Sequence, residues 1–492
     1  MSQINIQNLT FSYDGNSENI FENVNLSFDT DWKIGLIGRN GRGKTTLLNL
    51  LMGKFEYKGI ISKSVNFDYF PYEVKDKNKL TLQVIESIFP NYELWQILIK
   101  LNELELNENC LYQSFNTLSN GEQTKVLLAT LFSKENNFLL IDEPTNHLDY
   151  ASRKCVTNFL NKQKGFILVS HDRSFIDNCV DHVISINKKN IEIQKGNFSS
   201  WWVNKQKQDN FEIAQNEKIK KDIVRLNESA KQAKAWSDKV EKTKNGVRVA
   251  GVKPDKGAVG HKAAKMAKRS KVIENRINRA IEEKSKLLHN IEEQNELFLN
   301  SQNLSGSNVL ELKNISILYD NKCVFKNVNL LVEKGDKVAI CGKNGSGKTS
   351  LLKLILGEPI SYTGTIYKQS GLKVSYVSQK YDFKNETLIS FAQKNNISQT
   401  RFLTMLIKLG FSRNQFDVSI NNFSEGQKRK VLIAKSLCEE ANLYVWDEPL
   451  NYIDVISRIQ IENLIKNANI TLIFVEHDIA FVNNLATKII NI

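Results

Sequence analysis

The chain has 492 residues, 41% of them apolar and 25% charged, and carries a formal net charge of +13. That length accommodates about three domains of ~150 residues; no stretch of 18 apolar residues exists to span a bilayer, and the N-terminal MSQINIQNLTF lacks the basic and apolar regions of a signal peptide, so the expected location is cytoplasmic. The six cysteines are scattered with no C-x-x-C pair, which argues against zinc, an iron–sulfur cluster and a disulfide framework and leaves them as small buried apolar residues.

The first chemistry-bearing element along the chain is an apolar strand, IGLI, that runs into GRNGRGKT (residues 38–45) and then into the helical pattern TLLNLLMG. A loop between strand and helix is the context a phosphate cradle requires. Gly38, Gly41 and Gly43 let backbone N–H groups face the anion, Lys44 reaches the β- and γ-oxygens, and the Thr45 hydroxyl ligates Mg2+, with Asn40 and Thr46 beside them. Further on, LSNGEQTKVLLAT begins at Leu118 and places Ser119, Gly121 and Glu122 at a helix start. A hydroxyl, free N–H groups and the positive end of a helix dipole make an anion site. FLLIDEP is an apolar strand ending in two carboxylates, Asp142 to hold the Mg2+ shell and Glu143 to polarise the attacking water in line with the γ-phosphate. FILVSH ends in His171, whose imidazole is placed to contact the γ-phosphate and help position that water.

Residues 201–307 differ in composition. Positions 231–280 alone hold 15 Lys/Arg against 4 Asp/Glu, a net +11 of the chain's +13, so the basicity belongs to this segment and favours a polyanionic partner. Apolar residues recur at helical spacing over 205–243 and 261–300, and KNGVRVAGVKPDKGAVG between them breaks any helix. The reading is a long antiparallel helical hairpin with a basic, Gly-rich tip at Lys242, Lys244, Val247, Arg248 and Val249; a solvated charged linker is the alternative.

Beyond it the first two hundred residues repeat. GKNGSGKT at Gly342 follows its counterpart by 304 residues, Asp447 of LYVWDEPLNYID follows Asp142 by 305, Ser424 follows Ser119 by 305, and His477 and Tyr319 follow His171 and Tyr13 by 306. The second copy therefore offers Gly342, Asn344, Gly345, Gly347, Lys348, Thr349 and Ser350 as phosphate loop. Ser424, Gly426 and Gln427 form its second anion site, and Asp447, Glu448 and His477 its acidic pair and histidine. The fold class is α/β, two P-loop nucleotide-binding domains (1–200 and 308–492) joined by a long α-helical linker (201–307). Each domain already has a phosphate loop, so its second anion site is useful only opposite the other domain's nucleotide.

Phosphate loop, Ser-x-Gly-Gln signature, acidic pair and switch histidine in this order resemble the nucleotide-binding domains of ABC ATPases, over both repeats and about four-fifths of the chain. The resemblance implies two ATP molecules with Mg2+, held head to tail: Ser424, Glu425, Gly426 and Gln427 over Gly38–Thr45, and Ser119, Asn120, Gly121 and Glu122 over Gly342–Thr349. One chain then forms the dimer by itself, as a monomer. It further implies Tyr13 and Tyr319 as adenine-stacking residues and Gln379 of SYVSQ as a Mg2+ contact. Tyr72 of FDYFPY stands where Gln379 stands in the second copy, Glu425 replaces a signature glycine, and NYID replaces NHLD, so the two sites are expected to be non-equivalent.

Two such domains around a long charged linker, with EPTNHLD in the first, resemble the ABC-F ATPases, which bind the ribosome. That resemblance implies the 70S ribosome, its rRNA and the P-site tRNA as partners, with neither membrane nor DNA. The linker enters the tRNA exit site, and its tip approaches the peptidyl transferase centre. Arg and Lys density suits rRNA phosphates. Tyr72 to Ser119 spans 47 residues and Gln379 to Ser424 spans 45, so domain one carries no extra arm. With its long linker the chain is similar to the Lsa/Vga-type antibiotic-resistance ribosomal protection proteins, whose implied drugs are lincosamides, pleuromutilins and streptogramin A compounds. The alternatives are a housekeeping ABC-F translation factor and the ATPase subunit of a transporter; a DNA-repair ATPase would need zinc cysteines, which are absent.

Overall fold

The structure, a computed structural model, describes residues 2–13, 19–134, 137–146, 148–187, 190–242, scattered positions between 265 and 279, 306–319, 322–343 and 345–492. Of the expected site residues, Asn344, Lys244, Val247, Arg248 and Val249 lie outside the described residues, as do the side chains of Lys242 and Tyr319. Two compact units result: Met1–Trp201 together with Gln294–Ile492, and Trp202–Glu293.

The first copy contains β1 (Gln3–Phe11), β2 (Phe21–Asp29), β3 (Lys33–Gly38), α1 (Lys44–Leu51), β4 (Lys58–Ser62), β5 (Asn66–Phe70), α2 (Thr81–Ile88), α3 (Leu94–Glu103), α4 (Asn120–Phe132), β6 (Asn137–Asp142), α5 (Tyr150–Asn161), β7 (Phe166–Val169), α6 (Arg173–Cys179), β8 (His182–Ile186) and β9 (Ile191–Lys195). An antiparallel sheet runs β2-β1-β4, and a second, mostly parallel sheet runs β5-β6-β7-β3-β8-β9 with β9 antiparallel at its edge. In β1, Ile4, Ile6, Leu9 and Phe11 are buried while neighbours face outward, as one-sided burial of an antiparallel strand demands. In β7 every residue is buried, and β3 is buried from Ile34 onward. Helices cover both faces of such parallel strands. Helix α1 seats Leu47, Leu48, Leu50 and Leu51 in the core shared by the two sheets, each worth roughly 1.5–3 kcal/mol of burial.

Helix α7 (Phe198–Lys242) begins the basic segment, seven residues earlier than the helical spacing predicts, and Trp201 is buried at its start against Phe198. Further along the segment, described positions 265, 268, 271–272, 275–277 and 279 are helical. Among the described residues no helix is long and apolar enough to cross a membrane.

The second copy contains β10 (Asn308–Tyr319), β11 (Lys322–Glu333), β12 (Lys337–Cys341), α8 (Lys348–Leu356), β13 (Tyr362–Lys368), β14 (Val374–Val377), α9 (Leu388–Lys394), α10 (Gln399–Lys408), α11 (Glu425–Cys438), β15 (Leu443–Asp447), α12 (Val455–Asn467), β16 (Leu472–Val475), α13 (Ile479–Leu485) and β17 (Lys488–Asn491). Its sheets repeat the first, β11-β10-β13 antiparallel and β14-β15-β16-β12-β17 parallel. Adjacency of β6, β7 and β3, and of β15, β16 and β12, brings the ends that carry acid pair, histidine and phosphate loop to one edge of each sheet. Carboxyl ends of parallel strands are where ligands bind in such sheets.

Candidate nucleotide sites

Both phosphate loops end at a left-handed glycine that caps the following helix, Gly43 at φ 90° and Gly347 at φ 97°. A Cβ at Gly43 would lie 2.8 Å from Ile20 Cγ2, and at Gly347 2.5 Å from Val324 Cγ1, so neither backbone nor packing admits another residue. Lys44 Nζ donates to the carbonyls of Gly38 (2.8 Å) and Arg39 (3.3 Å) and to Asn40 Oδ1 (3.4 Å). Lys348 Nζ likewise donates to the carbonyls of Gly342 (3.0 Å) and Lys343 (2.8 Å). Burial lowers the pKa of both lysines.

Strand β6 delivers Asp142 to the loop, where its Oδ2 accepts from Thr45 Oγ1 at 3.0 Å and Tyr69 OH at 3.2 Å. In the second copy Asp447 is fully buried, and the Thr349 hydroxyl lies near enough to oppose the effect of burial on its carboxylate. Burial raises the pKa of both aspartates. A buried carboxylate beside the threonine of a phosphate loop, found in both copies, fits a hard divalent cation such as Mg2+, which takes few protein oxygens and shares the rest with phosphate.

The next residue in each copy sits in the left-handed region, Glu143 at φ 52° and Glu448 at φ 47°, its N–H tied to the carbonyl of Val169 (2.9 Å) or Val475 (3.0 Å). This turn swings each glutamate across to the neighbouring strand's histidine. His171 Nε2 lies 3.3 Å from Glu143 Oε1, and His477 Nε2 lies 3.4 Å from Glu448 Oε1. Non-glycine residues held there are uncommon and cluster at functional sites.

Around these shared parts the copies diverge. Glu448 accepts from Gln379 Nε2 (2.8 Å) and Asn451 Nδ2 (2.7 Å); burial pushes its pKa up, but His477, Gln379 and Asn451 outweigh that and hold it at about 2. Glu143 accepts instead from the His171 N–H at 3.3 Å, and burial, reinforced by the charge of Asp142, pushes it up to about 8. His171 falls well below the usual range through burial and the nearby Lys44 and Arg458 charges. Gln379, the expected Mg2+ contact, here donates to Glu448. Tyr72 turns away and donates to Asp68 (2.8 Å), and Tyr69, unassigned by the sequence reading, occupies the aspartate instead.

Ser119, Asn120, Gly121 and Asp149 of the first copy line a cavity of about 740 Å3 whose opposite wall is Gly345, Gly347, Lys348, Thr349, Ser350, Gln379, Glu448 and His477 of the second. Glu122 is turned back: its carboxylate accepts from Ser119 N (2.9 Å) and Ser119 Oγ (2.8 Å), closing a capping box. Gln427 does the same for Ser424 N at 3.0 Å, so the last signature residue of each copy holds its own helix start. At the other pair of motifs the walls touch. Asn40 Nδ2 donates to the carbonyl of Tyr452 (2.7 Å) and Asn40 N to Asp454 Oδ2 (3.4 Å), with Gly426 packed beneath both. Arg153 Nη1 reaches the carbonyl of His477 at 3.3 Å, and Arg173 pairs with Glu462 across the same interface. Asp149 and Asp454 were not singled out from the sequence, although each follows its acidic-pair aspartate by seven residues and caps the next helix. Tyr13 is 39% exposed beside the first turn of α1, its hydroxyl 2.9 Å from Thr46 Oγ1.

The ABC transporter family profile matches residues 21–146 and 325–451. The chain is 28% identical to the ribosome protection protein VmlR of Bacillus subtilis (strain 168), over 95% of this chain and 83% of that one. It is 30% identical to the ATP-binding protein Uup of Buchnera aphidicola subsp. Acyrthosiphon pisum (strain APS), over 99% of this chain and 80% of that one. The archaeal ribosome recycling factor aABCE1, solved in complex with the ribosomal stalk protein aP1, shares the fold at a TM-score of 0.63 and 17% identity, covering 98% of this chain and 87% of its own. Twin P-loop copies facing each other's signature helices, together with these matches, make the chain an ATPase of the ABC family, in its ABC-F group.

Proposed function

We propose that the protein binds the bacterial ribosome in its ATP-loaded form, enters the region of the tRNA exit site with its basic linker, and protects the peptidyl transferase centre from antibiotics by displacing them, hydrolysis releasing it. The observation that carries the ATP part is the cavity shared by the Ser119 helix start and the Gly345–Ser350 loop. Lys44 and Lys348 bind the β- and γ-phosphates from below, and Ser119 and Gly121, or Ser424 and Gly426, close over them. Tyr13 and Tyr319 stack the adenines. Thr45 with Asp142, and Thr349 with Asp447 and Gln379, would hold Mg2+, which when bound neutralises charge on the phosphate oxygens. Glu143 and Glu448 take the proton of the attacking water, which His171 and His477 help to orient.

Similarity to VmlR over nearly the whole chain supports the ribosome as partner and protection as the outcome. The net +11 between 231 and 280 supports phosphate contacts by the linker, with rRNA and P-site tRNA as the polyanions and Lys242, Lys244, Val247, Arg248 and Val249 nearest the drug. Lincosamides, pleuromutilins and streptogramin A compounds are the proposed classes. Comparable identity to Uup, named only as an ATP-binding protein, keeps a second reading in play, a housekeeping translation factor of the same family. A Glu143→Gln, Glu448→Gln double variant should co-sediment with 70S ribosomes only when ATP is present, and the wild type should raise drug tolerance in a susceptible host. Pelleting without any change in tolerance would select the second reading, and failure of ATP-loaded, folded protein to pellet would overturn both.

A further inference from the structure

Helix α11 faces both nucleotide sites. Its first turn meets the phosphate loop of the first copy, because a Cβ on Gly426 would lie 2.5 Å from Asn40 Nδ2. One turn later Arg429, 6% exposed, donates through Nη1 to the carbonyl of Ser378 and through Nη2 to the carbonyl of Gln379 at 2.8 Å. Gln379 in turn donates to Glu448. Three bonded residues thus span from the helix that grips one site to the glutamate of the other. A planar guanidinium bonded to two successive carbonyls fixes that stretch of backbone in a way a single-point ammonium does not.

Among the described residues the first copy shows no such connection. Thr124, the counterpart of Arg429, donates to Asn120 O within its own helix at 2.9 Å, and Tyr72, the counterpart of Gln379, is bonded to Asp68. We infer that Arg429 is a positioning residue that transmits occupancy of the Gly38–Thr45 site to Glu448, so that nucleotide at the first site sets the hydrolysis rate at the second, while Thr124 and Tyr72 offer no counterpart chain to Glu143. The inference rests on the roles proposed above for Glu448 and the two phosphate loops. It uses a two-ended element, a helix start at one site and an arginine clamp at the other, of the kind coupling requires.

The test isolates the second site with Glu143→Gln and measures ATP turnover with and without Lys44→Ala, which removes nucleotide from the first. With Arg429 present, Lys44→Ala should reduce kcat by roughly five- to tenfold, a modest coupling. Arg429→Thr should reduce kcat by a similar factor at near-constant KM and make the further addition of Lys44→Ala silent. Arg429→Lys keeps the buried charge and should fall between, which separates coupling from loss of fold if Arg429→Thr melts early. Thr124→Ala, measured at the first site in a Glu448→Gln background, should change nothing. Additive effects of Lys44→Ala and Arg429→Thr, or an unchanged kcat in Arg429→Thr, would overturn the inference. Persistent hydrolysis in Glu143→Gln, Glu448→Gln would instead refute the catalytic assignment on which it rests.

Discussion

The two signature glycines respond differently to a single added methyl group. A Cβ at Gly426 would lie 2.4 Å from the Tyr452 carbonyl oxygen and 2.5 Å from Asn40 Nδ2, whereas at Gly121 the nearest atoms are Ser152 Oγ at 3.5 Å and Leu148 Cδ2 at 3.6 Å. The first pair clashes with a backbone carbonyl and with the Asn40 amide bonded to it; the second is ordinary contact. Overpacking of that kind costs about 1–3 kcal/mol, which lowers the closed population at the first site by roughly 5- to 150-fold. Alanine near a helix start also gains up to ~1 kcal/mol over glycine, a benefit common to both variants that leaves Gly121→Ala neutral to slightly stabilised. Amide hydrogen exchange on nucleotide-free protein reads the difference directly. Gly426→Ala should speed exchange across 38–45, where Asn40 N–H is held by Asp454, while Gly121→Ala should leave 345–351 unchanged. Equal acceleration of both interfaces, or none in Gly426→Ala, would refute the asymmetric contact.

Either single substitution, Glu143→Gln or Glu448→Gln, should remove its own site's share of phosphate release, and the double variant should lose at least about 100-fold, the lower range for a missing general base. Asp454 carries a pH signature. Burial opposes its charge, but Lys430 at 2.8 Å, Lys44 and the Ser457 N–H outweigh it, so its folded pKa is depressed. Its contribution is therefore complete above the unfolded value of about 3.9 and is lost as pH falls below that. Asp454→Asn should cost about 3–5 kcal/mol at pH 7, by leaving Lys430 buried without its counter-charge, and less at pH 3; unfolding midpoints at both pH values check this, and an equal loss at each would contradict it.

Motifs confined to one stretch of chain were legible. A phosphate loop needs only a strand, glycines and a helix in succession, and the acidic pair and histidine each end an apolar run; that these strands are neighbours is a property of the sheet. The repeat made the reading firmer than any single motif. What escaped was chemistry assembled across distance. Tyr69 reaches Asp142 because β5 pairs with β6, and its alternation along the strand, not its neighbour Tyr72's position in the motif, decides which hydroxyl arrives. The left-handed turn at Glu143 and Glu448 follows from a bond to the neighbouring strand, which no propensity for glutamate reports. Glu122 and Gln427 show the converse: a capping box satisfies the helix start locally, and the side chain assigned to the nucleotide is spent on its own N-cap. Arg429 sits among Lys428 and Lys430 in the chain, and only its burial and its two carbonyl partners set it apart.

That each signature helix completes the other copy's ATP site is the centre of the account, and one labelling experiment addresses it. In the Glu143→Gln, Glu448→Gln background, Ser119→Arg would place a bulky side chain in the cavity opposite Lys348. Photoreactive ATP, followed by cleavage between the copies, should then label the 1–200 fragment as before and leave the 308–492 fragment unlabelled. Loss of label from 1–200 instead would mean that each copy closes over its own nucleotide, and the composite sites would be wrong.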